Sequence, residues 1–389
     1  MSEWKDCTIG ELGKIITGKT PRTAIEENYG GNTPFLSPSD NMEVKHVGLT
    51  NKTLSDQGVK EVKNCLLPEG SVCVSCIGSD LGKVLITTQP TVTNQQINSI
   101  IVNEDNDVDF VYYLMTVVGK HLNIISKTST AVPIINKSSF SNHKITRPNL
   151  GTQKKIANIL SSLDEKIETN QKINARLEEL AQTLFKSWFI DFEPFGSQMP
   201  EDWEFCTLGD LTSECKDRVK NRNDVRVLSP LSSGELALSD EYFNKQVYSK
   251  DISKYIVVKP KTFAYNPARI NIGSIGINDY IFDGCVSPVY VVFKAIDGYE
   301  EFINQFIKTT VFKEEVLLRA IGGVRQTLNY NDFSLIEFYK PSLSTVTQFS
   351  QIVSSINDTI KFLNIETMRL GELRDTLLPK LMSGELIPE

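Results

Sequence analysis

The sequence lacks the short motifs that mark nucleotide-binding and common catalytic sites. It contains no GxxxxGK(S/T) loop to cradle phosphates, no HExxH and no GxSxG. Residues 266–269 (NPAR) lack the second proline and the aromatic residue of an amino-methyltransferase motif, and the three histidines, His46, His121 and His143, share no motif. These absences favour a binding scaffold over an enzyme, and they predict no catalytic residue, metal or cofactor in this chain.

Long apolar runs and paired cysteine patterns are also missing. No apolar stretch reaches the roughly 18 residues of a membrane span, and the first residues do not resemble an export signal, so we expect a cytoplasmic location. The seven cysteines are an odd number, which favours free thiols over a disulfide framework. Cys73 and Cys76 form a single CxxC inside a valine-rich strand pattern. That pattern should point the two thiols in different directions, which argues against zinc or redox use.

The chain has no excess of positive charge. Its 41 basic and 48 acidic residues give a net charge of −7, which taken alone argues against binding to nucleic acid. No large segment is a basic block. Any contact with DNA would therefore need local patches or charge supplied by a partner subunit.

What the sequence does contain is a long run without glycine or proline, Thr152 to Phe189. Apolar residues recur in it at the 3.5-residue period with which helices wind around each other. The same steps recur about 193 residues later, which predicts a second long helix as the partner. The predicted seam comprises Ile156, Leu160, Leu163, Ile167, Leu177 and Leu184 in the first helix and Phe349, Val353, Ile356, Ile360, Leu363, Leu370 and Leu377 in the second.

Polar residues interrupt this seam at Asn170 and Asn174. A polar residue at a core position usually fixes helix register, although a shifted register would instead leave both asparagines at the solvent edge. The pattern allows either parallel or antiparallel pairing. Pro379 should end or kink the second helix near Leu378, which makes Leu381 a doubtful seam residue. The tail that follows is then either a partner-binding extension or a frayed end.

The rest of the chain is an internal repeat. WKDCTIGEL from Trp4 matches WEFCTLGDL from Trp203, PFLSPSDN matches RVLSPLSS, and a third match aligns Asn136 with Asn329. Each copy continues through apolar β-type runs, a glycine-rich turn and a short helix before its long helix. A period near 199 residues indicates duplication of a whole domain.

These patterns predict an α/β (α+β) fold with two globular domains in tandem repeat and two long coiled-coil helices. The predicted globular domains are residues 1–150 and 194–341. The first long helix occupies residues 151–193, and the second, with the C-terminal tail, occupies residues 342–389.

Polar side chains concentrate in the predicted loops of both copies, where they could face one surface. Arg, Lys, Asn and Gln match base edges in the major groove, whereas Ser, Thr and Lys serve phosphates. Polar loops are ordinary surface features, but their different composition in matched copies favours one scaffold that reads two targets. The second-copy group Arg325, Gln326 and Asn329 is matched with Asn94 and Gln95. The candidate DNA contacts are Lys19, Arg22, Ser37, Ser39, Ser79, Lys83, Asn94 and Gln95 in the first copy and Lys220, Arg222, Ser229, Arg269, Asn271, Arg325, Gln326 and Asn329 in the second.

Over its whole length the chain resembles the specificity subunits of Type I restriction-modification systems. The resemblance rests on QKKIANILSSLDEKIE from Gln153, on WKDCTIGEL, on the segment from Gly18 to Asp40, and on LRDTLLPKLMSGEL near the end. It implies two target-recognition domains, each reading one half of a split, asymmetric DNA sequence. It also implies that the long helices pair antiparallel and set the spacer between the halves.

The resemblance implies partners as well. Two modification (methyltransferase) subunits would carry S-adenosylmethionine, and restriction (ATP-dependent translocase and nuclease) subunits would join that assembly on double-stranded DNA. The second helix departs from the pattern, because Val346 and Thr347 precede Gln348 where the first helix has Gln153 to Lys155. Two other classes stay open: a DNA methyltransferase or nuclease with unfamiliar motifs, and a coiled-coil adaptor that does not bind DNA.

Overall fold

A computed structural model of the chain describes residues 4–126, 135–243, 247–319 and 327–388. The chain divides into two compact units. Unit 1 contains residues 1–170 and 365–389, and unit 2 contains residues 171–364. Each long helix therefore begins in one unit and ends in the other.

The elements of the first copy alternate short strands with short helices and end in a long helix. The 3-10 helices are Ile9–Leu12, Glu26–Asn28, Lys63–Cys65 and Gly78–Asp80. The α-helices are α1 (Asp56–Glu61), α2 (Val108–Ser126), α3 (Lys137–Ser141) and the long α4 (Leu150–Phe189). The strands are β1 (Lys5–Thr8), β2 (Gly13–Thr17), β3 (Tyr29–Leu36), β4 (Lys52–Leu54), β5 (Leu66–Leu67), β6 (Val72–Ser75), β7 (Val84–Ile86), β8 (Thr91–Thr93), β9 (Ile97–Val102) and β10 (Lys144–Arg147).

The second copy repeats this order. Its 3-10 helices are Glu193–Phe195 and Ile270–Ile272. Its α-helices are α5 (Leu208–Leu211), α6 (Ser239–Tyr242), α7 (Glu300–Phe306), α8 (Thr310–Arg319), α9 (Tyr330–Ser334) and the long α10 (Leu343–Ser383). Its strands are β11 (Glu204–Thr207), β12 (Thr212–Cys215), β13 (Arg226–Pro230), β14 (Leu236–Leu238), β15 (Ile256–Val258), β16 (Phe263–Tyr265), β17 (Ile275–Ile277), β18 (Gly284–Val286), β19 (Val291–Ala295) and β20 (Glu337–Lys340).

Both units have the same strand topology. Unit 1 combines the ribbon β1-β10 with two sheets ordered β2-β9-β6-β7 and β4-β3-β8-β5. In unit 2 every strand number rises by ten, giving β11-β20, β12-β19-β16-β17 and β14-β13-β18-β15. Even the parallel pairs match, because β3 runs parallel to β8 and β13 runs parallel to β18. The predicted duplication and fold class are confirmed.

The matched openings of the two copies fold alike because their polar residues make the same local bonds. The Thr8 N–H donates to Glu11 Oε2 at 2.7 Å, and the Thr207 N–H donates to Asp210 Oδ2 at 2.8 Å. Each pair forms a capping box that begins a short helix directly after the first strand of its copy. The repeated threonine and acidic positions therefore have a structural role.

The main core of each unit lies between its first four-stranded sheet and the helices. In unit 1, Ile156 and Leu160 of α4 and Leu381 of α10 are fully buried in a cluster with sheet and α2 residues. In unit 2, Phe185 of α4 and Phe349 of α10 are buried in the corresponding core cluster. Apolar burial of this kind is the main stabilising contribution to such a fold. Each globular part is therefore built onto a pair of long-helix segments.

Within unit 1 the long helices run antiparallel. Arg374 Nη1 donates to Asp164 Oδ1 at 2.8 Å. Six residues further along α4, Asn170 Nδ2 donates to Glu366 Oε2 at 2.7 Å. Residue numbers rise along α4 as they fall along α10, so one of the two pairings that the sequence pattern allowed is selected.

Unit 2 has the same direction of pairing. Asn174 Nδ2 donates to Asn364 Oδ1 at 2.7 Å, and the Phe185 and Phe349 rings have their centroids 5.9 Å apart. Here too the numbers rise along α4 and fall along α10. Both units therefore contain an antiparallel helix pair.

Burial along the helices follows the 3.5-residue period. Asn170 and Asn174 are 0% and 9% exposed, so the alternative register, which left them at the solvent edge, is wrong. None of the predicted apolar seam positions is exposed: Ile156, Leu160, Phe349, Val353, Ile356 and Leu363 are buried, and Leu163, Ile167, Leu177, Leu184, Ile360, Leu370 and Leu377 are half-buried.

Of the two outcomes expected at Pro379, an end or a kink of the second long helix near Leu378, the first is wrong. Helix α10 continues through Pro379 to Ser383. A proline inside a helix costs about 3 kcal/mol, but Leu378, Leu381 and Met382 are all buried in the core of unit 1. Full burial of each such side chain is worth about 1.5 to 3 kcal/mol, so the local cost is offset.

The start of the C-terminal tail is packed. Gly384 has a φ of 77° and follows the last residue of α10. A side chain here would lie 2.5 Å from Trp4 Nε1, so glycine permits the close approach of Trp4. The frayed-end alternative is thus wrong for residues 378–384. Among the described residues, no helix combines the length and apolarity needed to cross a bilayer.

Candidate nucleic-acid interface

The sheets of unit 1 place its polar loops at one edge. In the first sheet, β2 and β6 end where β7 and β9 begin, because neighbouring strands run antiparallel. In the second sheet, β3 and the parallel β8 end together, next to the start of β4. The loops at these ends are residues 18–28, 37–51, 76–83 and 94–96, and together they define the strand-end surface of unit 1.

Backbone hydrogen bonds hold these loops against each other. The Lys19 N–H donates to the Thr93 carbonyl, the Asn94 N–H to the Leu36 carbonyl, and the Cys76 N–H to the Gln96 carbonyl, each at 2.9 Å. Gly18 allows the first of these contacts, because a Cβ at this position would lie 2.2 Å from carbonyl oxygens of residues 93 and 94. The structure thus brings the predicted contacts Lys19, Asn94 and Gln95 to the end of β3.

A buried carboxylate shapes the turn that carries Ser37 and Ser39. Asp40 is 9% exposed. It accepts the Ser37 N–H at 2.8 Å, the Ser37 hydroxyl at 2.9 Å and the Asn51 N–H at 2.6 Å. The Ser37 and Ser39 hydroxyl oxygens are 2.8 Å apart. The two hydroxyls are therefore held as a pair at the rim of the strand-end surface.

Unit 2 has an equivalent strand-end surface, formed by residues 216–225, 231–235, 266–274 and 287–290. The predicted contacts Lys220, Arg222, Arg269 and Asn271 lie in these loops. Ser229 lies in β13, and its hydroxyl is 2.8 Å from the Ser239 hydroxyl of α6. The tandem units therefore gather polar residues at the same edge of the same sheets.

The predicted match of Arg325, Gln326 and Asn329 with Asn94 and Gln95 is wrong. Residues 94–96 connect β8 to β9, so their counterpart is the loop 287–290 between β18 and β19. The Asn329 side chain caps α9, as Asn136 caps α3. Arg325 and Gln326 lie outside the described residues.

Sequence reasoning missed two basic residues of unit 2. Lys216 and Arg218 follow β12 directly and line a cleft with Tyr290 and Thr327. The strand registers of the two copies align Thr17 of β2 with Lys216, so Arg218 is the counterpart of Lys19. The offset of 199 residues between Trp4 and Trp203 would have revealed this equivalence.

Several cations of the two surfaces are already paired. Lys83 Nζ lies 2.8 Å from Asp80 and 3.2 Å from Glu43, and hydrogen bonds to these carboxylates raise the pKa of Lys83. Arg222 contacts Asp224 at 2.6 Å and Asp283 at 2.8 Å, which raises the pKa of its guanidinium. A phosphate that approaches these side chains would compete with the carboxylates for their N–H donors.

Other cations are available for phosphates. Arg22 is paired with Glu61 at 3.1 Å but remains 74% exposed. Lys19, Arg218, Lys220 and Arg269 are exposed and form no ion pair with a described residue. The side chain of Ser79, in the 3-10 helix Gly78–Asp80, lies outside what the structure describes. Exposed cations at loop tips are suited to phosphate contacts, which position a protein on DNA.

The two thiols of the CxxC lie in different apolar clusters, as predicted. Cys73 packs with the second sheet and Cys76 with the main core. Burial raises the pKa of Cys73 to about 12, and its sulfur accepts the Ser99 hydroxyl at 3.3 Å. Within the described ranges no group of three or more His, Cys, Asp or Glu side chains is arranged to hold a metal.

Two α/β units of one topology, each with polar loops gathered at one edge and a share of two antiparallel helices, define a duplicated binding scaffold. A family model described as the Type I restriction modification DNA specificity domain matches residues 1–179. The HindI specificity subunit of Haemophilus influenzae is 34% identical, over 99% of this chain and 100% of that protein. The MjaIX specificity subunit of Methanocaldococcus jannaschii is 28% identical, over 99% of this chain and 94% of that protein.

Solved structures agree on the fold. The crystal structure of a Type I restriction-modification S subunit from M. genitalium matches with a TM-score of 0.62 at 17% identity, over 100% of this chain and 97% of that chain. At this identity the likeness concerns the fold alone. The full-length match to the Haemophilus protein is decisive for the family: the chain belongs to the Type I restriction enzyme specificity subunits.

Proposed function

We propose that this chain is the DNA-recognition subunit of a Type I restriction-modification complex and is not itself catalytic. Each unit reads one half of a split, asymmetric site through its strand-end surface. The observation that carries the proposal is a duplicated topology with divergent loops. The loop after β3 spans residues 37–51, whereas its counterpart after β13 spans only residues 231–235.

The pairing of the long helices supports a role in spacing. Equivalent units on one chain present similar faces to two half-sites, while unequal loops read unequal sequences. Half-sites read from one face of a duplex lie near one helical turn, about 34 Å, apart. In this proposal the antiparallel helices α4 and α10 fix that separation.

The charge of the chain supports a role for partner subunits. With a net charge of −7, the chain alone offers few phosphate contacts, which normally dominate affinity for DNA. We propose that two modification subunits add positive charge and hold S-adenosylmethionine for methylation. Restriction subunits that translocate and cleave DNA join that assembly.

The test is a binding selection with the full chain assembled with its modification subunits. Random duplexes are selected by the complex, and the bound pool is sequenced. We expect a split motif with two unequal halves and a fixed spacer. Recovery of no motif would favour a coiled-coil adaptor, and binding or turnover of S-adenosylmethionine by the isolated chain would favour a methyltransferase.

A further inference from the structure

The middle of loop 37–51 of unit 1 is hydrogen-bonded to strand β7. The Ile86 N–H donates to the Lys45 carbonyl at 2.7 Å, and the Val47 N–H donates to the Ile86 carbonyl at 2.9 Å. Met42 and Val47 are buried in the cluster that covers the second sheet. The loop therefore docks on β7 between its two ends, one of which carries Ser37 and Ser39.

The side chain of Lys45 enters the protein from this docking point. It is 7% exposed, and its Nζ lies 2.8 Å from Asp109 Oδ1 of α2. It also donates to the Ser161 hydroxyl of α4 at 2.8 Å and to the Tyr113 hydroxyl at 3.3 Å. Nζ lies 5.6 Å and 4.9 Å from the ring centroids of Tyr112 and Tyr113. An ammonium group is tolerated at such burial only when it is paired and hydrogen-bonded, as here.

The network continues to the second long helix. The Tyr113 hydroxyl donates to Asp164 of α4. Asp164 also accepts from Arg374 Nη1 of α10 at 2.8 Å. Lys45, Asp109, Asp164 and Arg374 thus belong to one connected set that joins loop 37–51 to α2, α4 and α10. Arg374 also contacts Asp375, its neighbour in α10, at 2.9 Å.

Unit 2 lacks the two cations of this set and one of its carboxylates, and keeps only Glu301, the counterpart of Asp109. Because α2 begins at Val108 and α7 at Glu300, Gln305 is the counterpart of Tyr113. The offset of 193 residues between Asn136 and Asn329 likewise makes Asn357 the counterpart of Asp164, and Ala181 the counterpart of Arg374. Gln305 and Asn357 instead donate to Glu301 at 2.9 Å and 3.1 Å. The loop at the matching place, residues 231–235, is short and supplies no lysine. The charged network therefore accompanies the long loop and is not required by the shared fold.

We propose that Lys45 is a positioning residue for DNA recognition by unit 1, which holds loop 37–51 at the strand-end surface by anchoring it to α2 and the long helices. The inference rests on the proposed function. Without the anchor, the loop must be ordered when DNA binds, and fixing even a few residues is costly. Affinity for the cognate site should then fall by at least about tenfold, with the loss confined to the half-site read by unit 1.

The experiment compares Lys45→Met with Lys144→Met, an exposed lysine on β10 that forms no ion pair with a described residue. Each full chain is assembled with its modification subunits and tested on the cognate duplex and on duplexes with either half-site scrambled. For Lys45→Met we expect lost discrimination at one half only, with faster hydrogen exchange confined to residues 37–51. For Lys144→Met we expect binding within about threefold of the original chain.

The double variant Lys45→Met with Asp109→Asn separates positioning from folding, because it removes the buried Lys45 charge together with its partly exposed partner Asp109. We expect it to melt like the original chain and still to read one half-site poorly. Full discrimination between half-site sequences by Lys45→Met or by the double variant would overturn the proposal. Loss of folding in both would also overturn it, in favour of a general stabilising role. If the original complex selects no DNA sequence, the proposed function itself fails, which is a distinct outcome.

Discussion

Replacing Phe349 by alanine should test the long-helix pairing in unit 2. Phe349 of α10 is fully buried. Its ring centroid lies 4.9 Å from that of Phe189, 5.9 Å from that of Phe185 and 6.0 Å from that of Trp188, all on α4. The substitution removes the aromatic centre of this contact and leaves a cavity.

The expected cost follows from burial. Deleting a buried phenylalanine side chain lowers the free energy of unfolding by about 3 to 5 kcal/mol. For a unit of this size each kcal/mol shifts the melting temperature by about 2 to 4 °C. The variant should therefore melt about 6 to 20 °C lower in the transition that reports on unit 2.

Tryptophan fluorescence during thermal unfolding is a suitable assay. Trp188 and Trp203 belong to this aromatic cluster, and a Trp4→Phe background removes the remaining tryptophan, which lies in unit 1. The matched control is Phe362→Ala, since Phe362 lies on the same helix but is 65% exposed. The control should change stability by less than about 0.5 kcal/mol. Equal shifts for the two variants would refute the antiparallel register.

Three further predictions concern DNA. Lys19→Ala should weaken binding uniformly across sequences and reduce the slope of log affinity against log salt by about one; a loss confined to one base position would contradict a phosphate contact. Arg325→Ala should weaken binding to the second half-site by about 1 to 3 kcal/mol if it reads a base, and unchanged affinity of the assembled complex would contradict that role. Inserting one four-residue turn in both long helices adds about 6 Å to each, or close to two steps of about 3.4 Å along DNA; the preferred spacer should lengthen, and an unaltered spacer would contradict the spacing role.

The long helices and the duplication could be predicted because their signals are regular along the chain. A 3.5-residue period is visible without any knowledge of tertiary contacts, and repeated segments reveal themselves by comparison within the sequence. Pro379 shows where local rules fail. The burial of Leu381 and Met382 offsets its helix-breaking tendency. The core that buries them is formed mainly by residues of the first copy, so the sequence near Pro379 does not predict it.

The candidate interface was only partly predictable for the same reason. The sequences of the strand-end loops have no period, so only the order of the strands shows which loops are equivalent. That order makes the loop 287–290, and not Arg325 and Gln326, the counterpart of Asn94. Lys45 gave no signal at all, because its partners Asp109 and Ser161 lie far away in the sequence. A lysine in a polar loop is normally solvated, and only the fold brings these groups together.

The central claim is that each unit reads its own half of a split site. Its most direct test is to replace loops 216–225 and 266–274 with the matching loops of a relative. The methylated motif is then determined by methylome sequencing in cells that express the chain with its modification subunits. The account predicts a motif in which one half changes while the other half and the spacer stay the same. A change in both halves, or an unchanged motif, would contradict it.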